Sequence, residues 1–584
     1  MTRDWVIAPP WPGREELARR AGVSVTVAQV LARRGQTSPE DVDRFLNPRL
    51  NDLYPPEALP GAVRAAERIV DAIREQRKIV LYGDYDVDGI TGLAILWHAI
   101  RLAGGEADYY MPHRVEEGYG LNAAALESLI GAGARLIVTV DCGITAVEEA
   151  AAARRHGVEL IITDHHAPRT DEDGAALLPG DAVLVHPALN GSGSPNPHLS
   201  GAGVALKLAW AIAQQCSGGS RATPEFRDFL VNATGLAALG LIADVVPLRG
   251  ENRALALHGL RGLPASTLPG VVALIDAAGL ANARLTGADV GFRLAPRLNA
   301  VGRLGHARLA VELLTRADEG EARRIARVLE QHNATRRTLE GRITGEAREK
   351  VRETGQDADD SRAIVLGSSG WHAGVIGIVA ARLVDEFRRP TVLVALENDS
   401  GQGSARSIPG YALHEALADC RAHLRAWGGH AMAGGLRLEA AAFDGFADAF
   451  RRRAASRLSA ADLRRRLMID DVAPLSALDE ELVRDFARME PFGCENPAPV
   501  LASDWLDLVG TPRAVGANGA HLQLTLTDGR VQRRAIAFGQ AKRSGELCDH
   551  RRCRVAFEPV VNDFNGRRTV ELQIADFQFP SRES

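Results

Sequence analysis

The sequence predicts an α/β protein whose largest part is a doubly wound parallel sheet, followed by a connecting helix, a smaller α/β domain and a C-terminal β-barrel of the OB type. Three observations carry this. Short apolar runs end at Gly83, Asp141, Asp164 and His186, and helical stretches at 122–130 and 145–156 separate the first three. A second strand–helix–strand unit follows at 363–395, opened by the glycine-rich turn GSSGWHAG. Beyond residue 460 the pattern changes to runs near 499–503, 521–527, 534–538, 553–560 and 569–578, about five strands with Gly or Asp turns between them.

With 584 residues the chain is too long for one core, and three or four domains are expected. The expected divisions are a helical lead-in at 1–55, the sheet domain at 56–315, the connecting helix at 316–355, the smaller α/β domain at 356–458 and the barrel at 459–584. A hydrophobic content of 46% and a charged content of 24% are those of an ordinary globular chain, and the net charge of −5 excludes a globally basic binder. Any nucleic-acid surface must therefore be local. None of the six cysteines forms a Cys-x-x-Cys pair, which argues against a zinc ribbon or a disulfide framework. The start MTRDWVIAPPWPG lacks the basic and apolar regions of a signal peptide, and no segment approaches 18 uninterrupted apolar residues, so a cytoplasmic location is expected.

Within the lead-in, 39–46 reads as a short amphipathic helix capped by Ser38. The stretch that organises the rest is KIVLYGDYDVDGITG, residues 78–92. It starts as a buried strand and ends in Asp84, Asp86 and Asp88 at alternate positions, flanked by Gly83 and Gly89, before an apolar helix at 90–102. Three like charges so close repel one another and need cations. At the carboxyl ends of parallel strands, where open α/β sheets place their ligands, that predicts a divalent-metal cup. A strand-end carboxylate can also simply cap the next helix. That would account for Asp141 or Asp164 singly, but poorly for three strand ends that converge with metal-capable side chains.

Further on, a helix at 232–243 delivers Asp244. Asp84, Asp86, Asp88, Asp141, His165 and Asp244 are all suitable ligands for hard divalent ions. Several carboxylates with one imidazole fit Mn²⁺ better than Mg²⁺ and lack the thiolates of a zinc site. There are enough ligands for two ions, with one Asp bridging. Two ions about 3.5–4 Å apart suit phosphodiester hydrolysis. The pattern at 319–352 is a long charged helix with a thin apolar stripe of Ile325, Leu329, Leu339, Ile343 and Val351, interrupted by Gly341 and Gly345. In the smaller domain, the glycine-rich turn that opens a helix is an anion site in form, and GSARS adds Ser404 and Arg406. In the barrel, Arg530, Arg533, Arg534, Arg551, Arg552, Arg567 and Arg568 supply local positive charge.

DYDVDG, VDCG, TDHH and ADVVPL, in this order and spacing, resemble the DHH phosphoesterase superfamily, with Asp164-His165-His166 as its eponymous triplet. FRLAPRLNAVGRLG (292–305), GWHAGVIGIVAARL (370–383), GSARSIPG (403–410) and GGHAMAGG (428–435) are similar to its branch of single-strand-specific 5′→3′ DNA exonucleases, over roughly 40–580. The resemblance implies that Asp84, Asp86, Asp88, Asp141, His165 and Asp244 bind metal, that His166 faces the scissile phosphate and that Asp164 orients a histidine. The catalytic set is then His166, Asp164 and Asp141, and the cofactor is Mn²⁺, as two ions, or Mg²⁺. The 360–455 unit is matched to the DHH-associated domain, which closes over substrate, with His372, Ser404, Arg406 and His430 placed on the nucleic acid. Asn299 is expected to join this phosphate-binding set, and Arg114, Arg303 and Arg406 to hold the terminal 5′ phosphate. One departure is Tyr82, where many superfamily members have His; Tyr is a poor ligand, and Asp84 is expected to take over. Single-stranded DNA is the expected substrate, with a single-strand-binding protein and a helicase as partners and repair and recombination as the setting. Two alternatives remain: another DHH phosphodiesterase acting on short RNA or a cyclic dinucleotide, and a non-catalytic DHH scaffold of replication.

Overall fold

The computed structural model describes residues 3–580 except 114–116, 119, 172, 190, 192, 220, 221, 304, 305, 565 and 566, with backbone only at 564 and 567. The chain forms two compact units. One contains Tyr54–Val246 and His258–Arg465, and the other Met1–Leu53, Pro247–Leu257 and Arg466–Ser584.

The larger unit is built on five parallel strands, β1 (Ile79–Gly83), β2 (Ala107–Tyr110), β3 (Leu136–Val140), β4 (Glu159–Thr163) and β5 (Val183–Val185), in the order 2-1-3-4-5. Four of the five were expected; the edge strand β2 was not, because ADYY has only a half-buried, mixed pattern. The runs are apolar throughout because both faces are covered. On one face, Val80, Tyr82, Ile137, Leu160 and Ile162 pack with Ala125 and Leu126 of α2 (Ala123–Gly131) and Ala150 and Ala153 of α3 (Val147–Arg155). On the other lies α1 (Val87–Leu102), buried nearly all round against α4 (Gly201–Ser217) and α5 (Pro224–Ala243). A helix that is apolar on every side belongs inside. Among the described residues, α5 alone is long and apolar enough to cross a membrane, yet more than half of its apolar window is buried in the fold. It starts earlier than expected because Thr223 caps it and Pro224 opens its first turn.

The connecting helix α6 (Glu319–Glu353) runs 35 residues without interruption from its Asp318 cap. Ile325, Leu329, Ile343 and Val351 are buried along it, Leu339 is partly buried, and the buried Glu340 is paired by Arg336 at 2.7 Å and by Arg382. Gly341 and Gly345 face open space and leave the helix intact. It leads to β6 (Ile364–Ser368), α7 (Ala373–Phe387) and β7 (Thr391–Glu397), a parallel strand–helix–strand unit as expected. β8 (Ser400–Arg406), β9 (Ala426–Gly429) and β10 (Ala433–Glu439) extend that sheet antiparallel, in the order 9-10-8-7-6.

In the second unit, five strands close on themselves: Leu506–Val515, His521–Thr527, Gln532–Ala537, Arg567–Gln578 and Arg552–Phe564 each pair with the next, and the last pairs with the first. That is the closure of an OB-type barrel. The sequence reading missed Leu506–Val515 and counted instead the run near 499–503, which is only the two-residue strand Leu501–Ala502. Gly510 at φ +71° and Pro512 break the strand pattern, and the ladder shifts register between Val509 and Arg513. The residues 1–53 are not a separate lead-in. Their helices, including Pro39–Leu46 with Ser38 capping Asp41 N at 3.1 Å, share one core with the barrel. The strand Asp4–Ile7 pairs in parallel with Arg466–Ile469.

A buried cation ties segments of this core together. Arg253, 1% exposed, donates to the carbonyls of Phe45 (2.7 Å), Met489 (2.9 Å), Arg488 (3.2 Å) and Glu490 (2.9 Å) and lies 4.0 Å above the Phe45 ring. Truncation would strand several acceptors at once. Arg253→Ala should lower the stability of this unit by about 3 kcal/mol or more, read as an early transition in urea unfolding. An unchanged midpoint would show those carbonyls to be satisfied otherwise.

Candidate metal centre

The strand order 2-1-3-4-5 reverses direction between β1 and β3. Loops leaving two neighbouring strand ends in opposite directions open a crevice there. Asp84 follows β1, Asp141 follows β3, and Asp164-His165-His166 follows β4.

The first loop is set by local chemistry. Asp86 caps α1, its Oδ1 accepting from Asp88 N at 2.9 Å and Gly89 N at 3.2 Å. Gly89 is obligatory, since a Cβ there would sit 2.5 Å from the Asp84 carbonyl oxygen. Asp88, in the first turn of α1, accepts from Gly201 N at 2.6 Å and Ala202 N at 3.0 Å, the free N–H groups that open α4. Asp244 ends α5, at the negative pole of a helix, where a carboxylate is disfavoured unless a cation is present. Asp141 has φ +64°, in the left-handed region that Asp tolerates better than most residues.

The groups meet at His165. Its Nε2 lies 3.1 Å from Asp141 Oδ1, 3.5 Å from Asp244 Oδ2 and 3.8 Å from Asp88 Oδ2, is buried, and makes no hydrogen bond. Ligand atoms converge within 4.8 Å in three sets: Asp84, Asp86 and Asp141; Asp88, His165 and Asp244; and Asp141, His165 and His166. Asp141 belongs to two of them. Small residues make room: a Cβ on Gly201 would lie 2.5 Å from Asp141 Oδ1, and one on Gly240 would collide with Asp88 Oδ1.

The electrostatics have one cause. Burial, then the neighbouring carboxylates, raises Asp88 to about 7, Asp244 to about 8 and Asp141 well above the carboxylate range. Burial and the adjacent His166 push His165 down to about 3, leaving the neutral imidazole that a metal ligand requires. For Asp164, burial is outweighed by the hydrogen bond and charge of His166, with Ile144 N and His166 N also donating, and the group falls to about 2. His166 Nδ1 sits 2.8 Å from Asp164 Oδ1, and this pairing outweighs burial and raises His166 to about 9. The cup is costly without positive charge and has hard oxygen donors plus one bare imidazole nitrogen. The residues present fit divalent cations of the Mn²⁺ or Mg²⁺ kind.

The structure thus brings together Asp84, Asp86, Asp88, Asp141, His165, His166 and Asp244, with Asp164 holding His166 from behind. Tyr82 turns away: its hydroxyl donates to Gly120 O at 2.9 Å and its ring stacks on Tyr110 at 5.3 Å. Sequence reasoning missed the helix start Gly201-Ala202 that holds Asp88, although Ser200-Gly-Ala-Gly is a capped small-residue opening. It also gave no role to His186, whose Nε2 donates to His166 O at 2.8 Å while Nδ1 accepts from Ala188 N at 3.0 Å.

The expected phosphate groups gather in the same unit. A Cβ on Gly302 would lie 2.5 Å from Tyr85 O, so the helix Ala295–Arg303, which carries the half-buried Asn299, rests on the first acidic loop. At its end Arg303 Nη1 donates to Gly374 O at 3.2 Å, in the first turn of α7. His372 caps that helix through Nδ1 to Gly374 N at 3.1 Å. One turn on, a Cβ at Gly377 would meet Ser404 Oγ at 2.8 Å and Arg406 Nη2 at 3.1 Å, and Arg406 Nη1 donates to Ser404 Oγ at 3.2 Å. His430 lies on the exposed turn between β9 and β10; Ala433, to whose carbonyl it donates at 2.8 Å, is paired across the sheet with Arg406. Arg114 lies outside the described residues.

Residues 78–234 match the model of the DHH family, N-terminal domain, 360–456 the DHHA1 domain and 469–576 the RecJ OB domain. The single-stranded-DNA-specific exonuclease RecJ of Bacillus subtilis is 36% identical over 576 residues, 98% of this chain and 70% of that protein. The crystal structure of RecJ from Thermus thermophilus in complex with Mn²⁺ superimposes with a TM-score of 0.83 at 32% identity, covering 99% of this chain and 80% of that one. Its complex with Mg²⁺ gives 0.78 at 30%, covering 99% and 78%.

The geometry predicts a metal-dependent stability. Saturating Mn²⁺ should raise the melting temperature of the metal-free protein, since a ligand at a hundred times its Kd adds about 2.7 kcal/mol. Asp141→Asn keeps a residue suited to the left-handed backbone and replaces a carboxyl whose charged form burial and its neighbours disfavour. Its metal-free form should melt no lower than wild type, while its gain with Mn²⁺ should shrink, as read by scanning calorimetry. A full gain in the variant would remove Asp141 from the centre.

Proposed function

The chain belongs to the RecJ family of single-stranded-DNA-specific exonucleases, and from that membership and the acidic cup we propose that it degrades single-stranded DNA from the 5′ end by two-metal hydrolysis, releasing 5′-mononucleotides. The observation that carries the reading is the convergence of seven metal-capable side chains at the sheet's switch point, in one unit with an arginine- and serine-lined helix start. The complete ligand set speaks against a non-catalytic scaffold, and the OB barrel speaks for a polymer rather than a dinucleotide.

Asp84, Asp86, Asp88, Asp141, His165 and Asp244 would hold the ions, and Asp141, which falls in two of the three ligand sets, would be the bridging carboxylate. Bound there, Mn²⁺ or Mg²⁺ supplies an acidified water and charge stabilisation of the attacking and leaving oxygens. The protein's own groups do the rest. Asp164 fixes the His166 ring through Nδ1, which leaves the opposite nitrogen to face a phosphoryl oxygen. Gly201 and Ala202 hold Asp88 in position through their N–H groups. Arg303, Arg406, Ser404 and the first turn of α7 offer cationic and N–H donors to a terminal phosphate, which distinguishes an end from the middle of a strand. The OB barrel would add further single-strand contacts. An enzyme confined to single strands needs duplexes opened and the strands presented, so a helicase and a single-strand-binding protein are the partners this activity calls for in repair and recombination.

Asp141→Asn should lose turnover of end-labelled single strands by several orders of magnitude with Mn²⁺ present. Wild type should release labelled mononucleotide at once from a 5′ label and only late from a 3′ label; the reverse order would overturn the polarity. Strands with a 5′ phosphate should be cut faster than 5′-hydroxyl strands, and Arg406→Ala should shrink that preference while slowing 5′-hydroxyl strands much less. A variant that keeps the full preference would leave Arg406 a purely structural residue.

A further inference from the structure

The residue after Asp244 combines two unfavourable features. Val245 has φ +62°, in the left-handed region where a β-branched side chain crowds its own backbone. The residue is also 64% exposed, whereas Val246 is buried. Glycine or asparagine would remove both the strain and the exposed apolar surface. Both features cost stability, and strain of this kind persists where the surrounding structure or function holds it in place.

The location suggests the function. The Asp244 side chain is 24% exposed, against 2% for Asp141 and 0% for Asp88, so it stands on the open rim of the cup. Successive Cα atoms are about 3.8 Å apart, so the exposed Val245 stands next to the carboxylate on that rim. The strained backbone turns that side chain out to solvent rather than into the core beside Val246. We infer that Val245 is a substrate-contacting residue, whose isopropyl group packs on the deoxyribose and base of the nucleotide being removed. An apolar contact of this kind adds affinity for every nucleotide and reads no base edge, as an enzyme that degrades any sequence requires. The inference rests on the proposed exonuclease reading.

The test uses full-length Val245→Gly, which relieves the strain and deletes the contact, and Val245→Ile, which keeps both. Val231→Ala, an exposed valine in the body of α5, serves as the control. Melting temperature, Mn²⁺ affinity by calorimetry and steady-state kinetics on single-stranded DNA are measured for each. The expected result for Val245→Gly is an equal or higher melting temperature, unchanged Mn²⁺ affinity and a KM raised about tenfold or more, the loss expected for one buried apolar side chain. Val245→Ile, which keeps an apolar contact, should give a KM well below that of Val245→Gly, and Val231→Ala should match wild type. A wild-type KM in Val245→Gly would overturn the inference. So would a loss accompanied by weaker Mn²⁺ binding, which would make Val245 a support for Asp244, or a lowered melting temperature, which would mean the residue serves the fold. If wild type itself leaves single-stranded DNA intact, the exonuclease reading fails, separately from Val245.

Discussion

Asp88, Asp141 and Asp244 crowd around one buried imidazole nitrogen, and this like-charge crowding is the constraint to which the surrounding fold is fitted. Each carboxylate is delivered by a different device: a helix start for Asp88, a strand end in the left-handed region for Asp141, and a helix C-terminus for Asp244. None of these sites would be chosen for a carboxylate on stability grounds alone, apart from the first. The N-terminus of α4 donates to Asp88, and small residues at 201 and 240 let the helices approach closely around the cup. The remaining repulsion is left for cations to relieve, which couples metal binding to the stability of the whole switch-point region.

Much of this was legible because the chemistry lies at the ends of simple elements. Continuous apolar runs that stop at Asp or His mark buried parallel strands and their sites at the same time, so β1, β3, β4 and β5 and the residues that follow them could be read directly. Residues whose importance lies in being small escaped. Gly201, Gly240 and Gly302 have no side chain to announce a role, and only the neighbouring atoms a Cβ would strike reveal why they are needed. Long-range packing escaped too. Arg253 looks like one more surface arginine in RGENRALALHG, and nothing in its local sequence shows that four carbonyls from distant segments close around it. The missed barrel strand failed for a local reason, since Gly510 and Pro512 mark a bulge and disguise the alternation that continues on either side.

The electrostatic problem of the whole chain follows from the same cup. A protein of net charge −5 that concentrates buried carboxylates where a phosphodiester must sit repels its polyanionic substrate at the very place of reaction. Two kinds of compensation differ in range. Bound divalent ions act at contact distance and reverse the sign of the cup itself. Arg303 and Arg406, held against the start of α7 by the Gly374 carbonyl and Ser404, stay outside the carboxylate cluster, and on the proposed reading they would act at the neighbouring position. Keeping those cations out of the cup matters: an arginine among the carboxylates would neutralise them by pairing and compete with the metal. The 5% aromatic content leaves few stacking platforms, so binding along the strand falls mainly to phosphate contacts, which weaken steeply with salt, while the contacts inside the metal centre are far less screened. Added salt should therefore act first on strand capture and only later on the bond-breaking step.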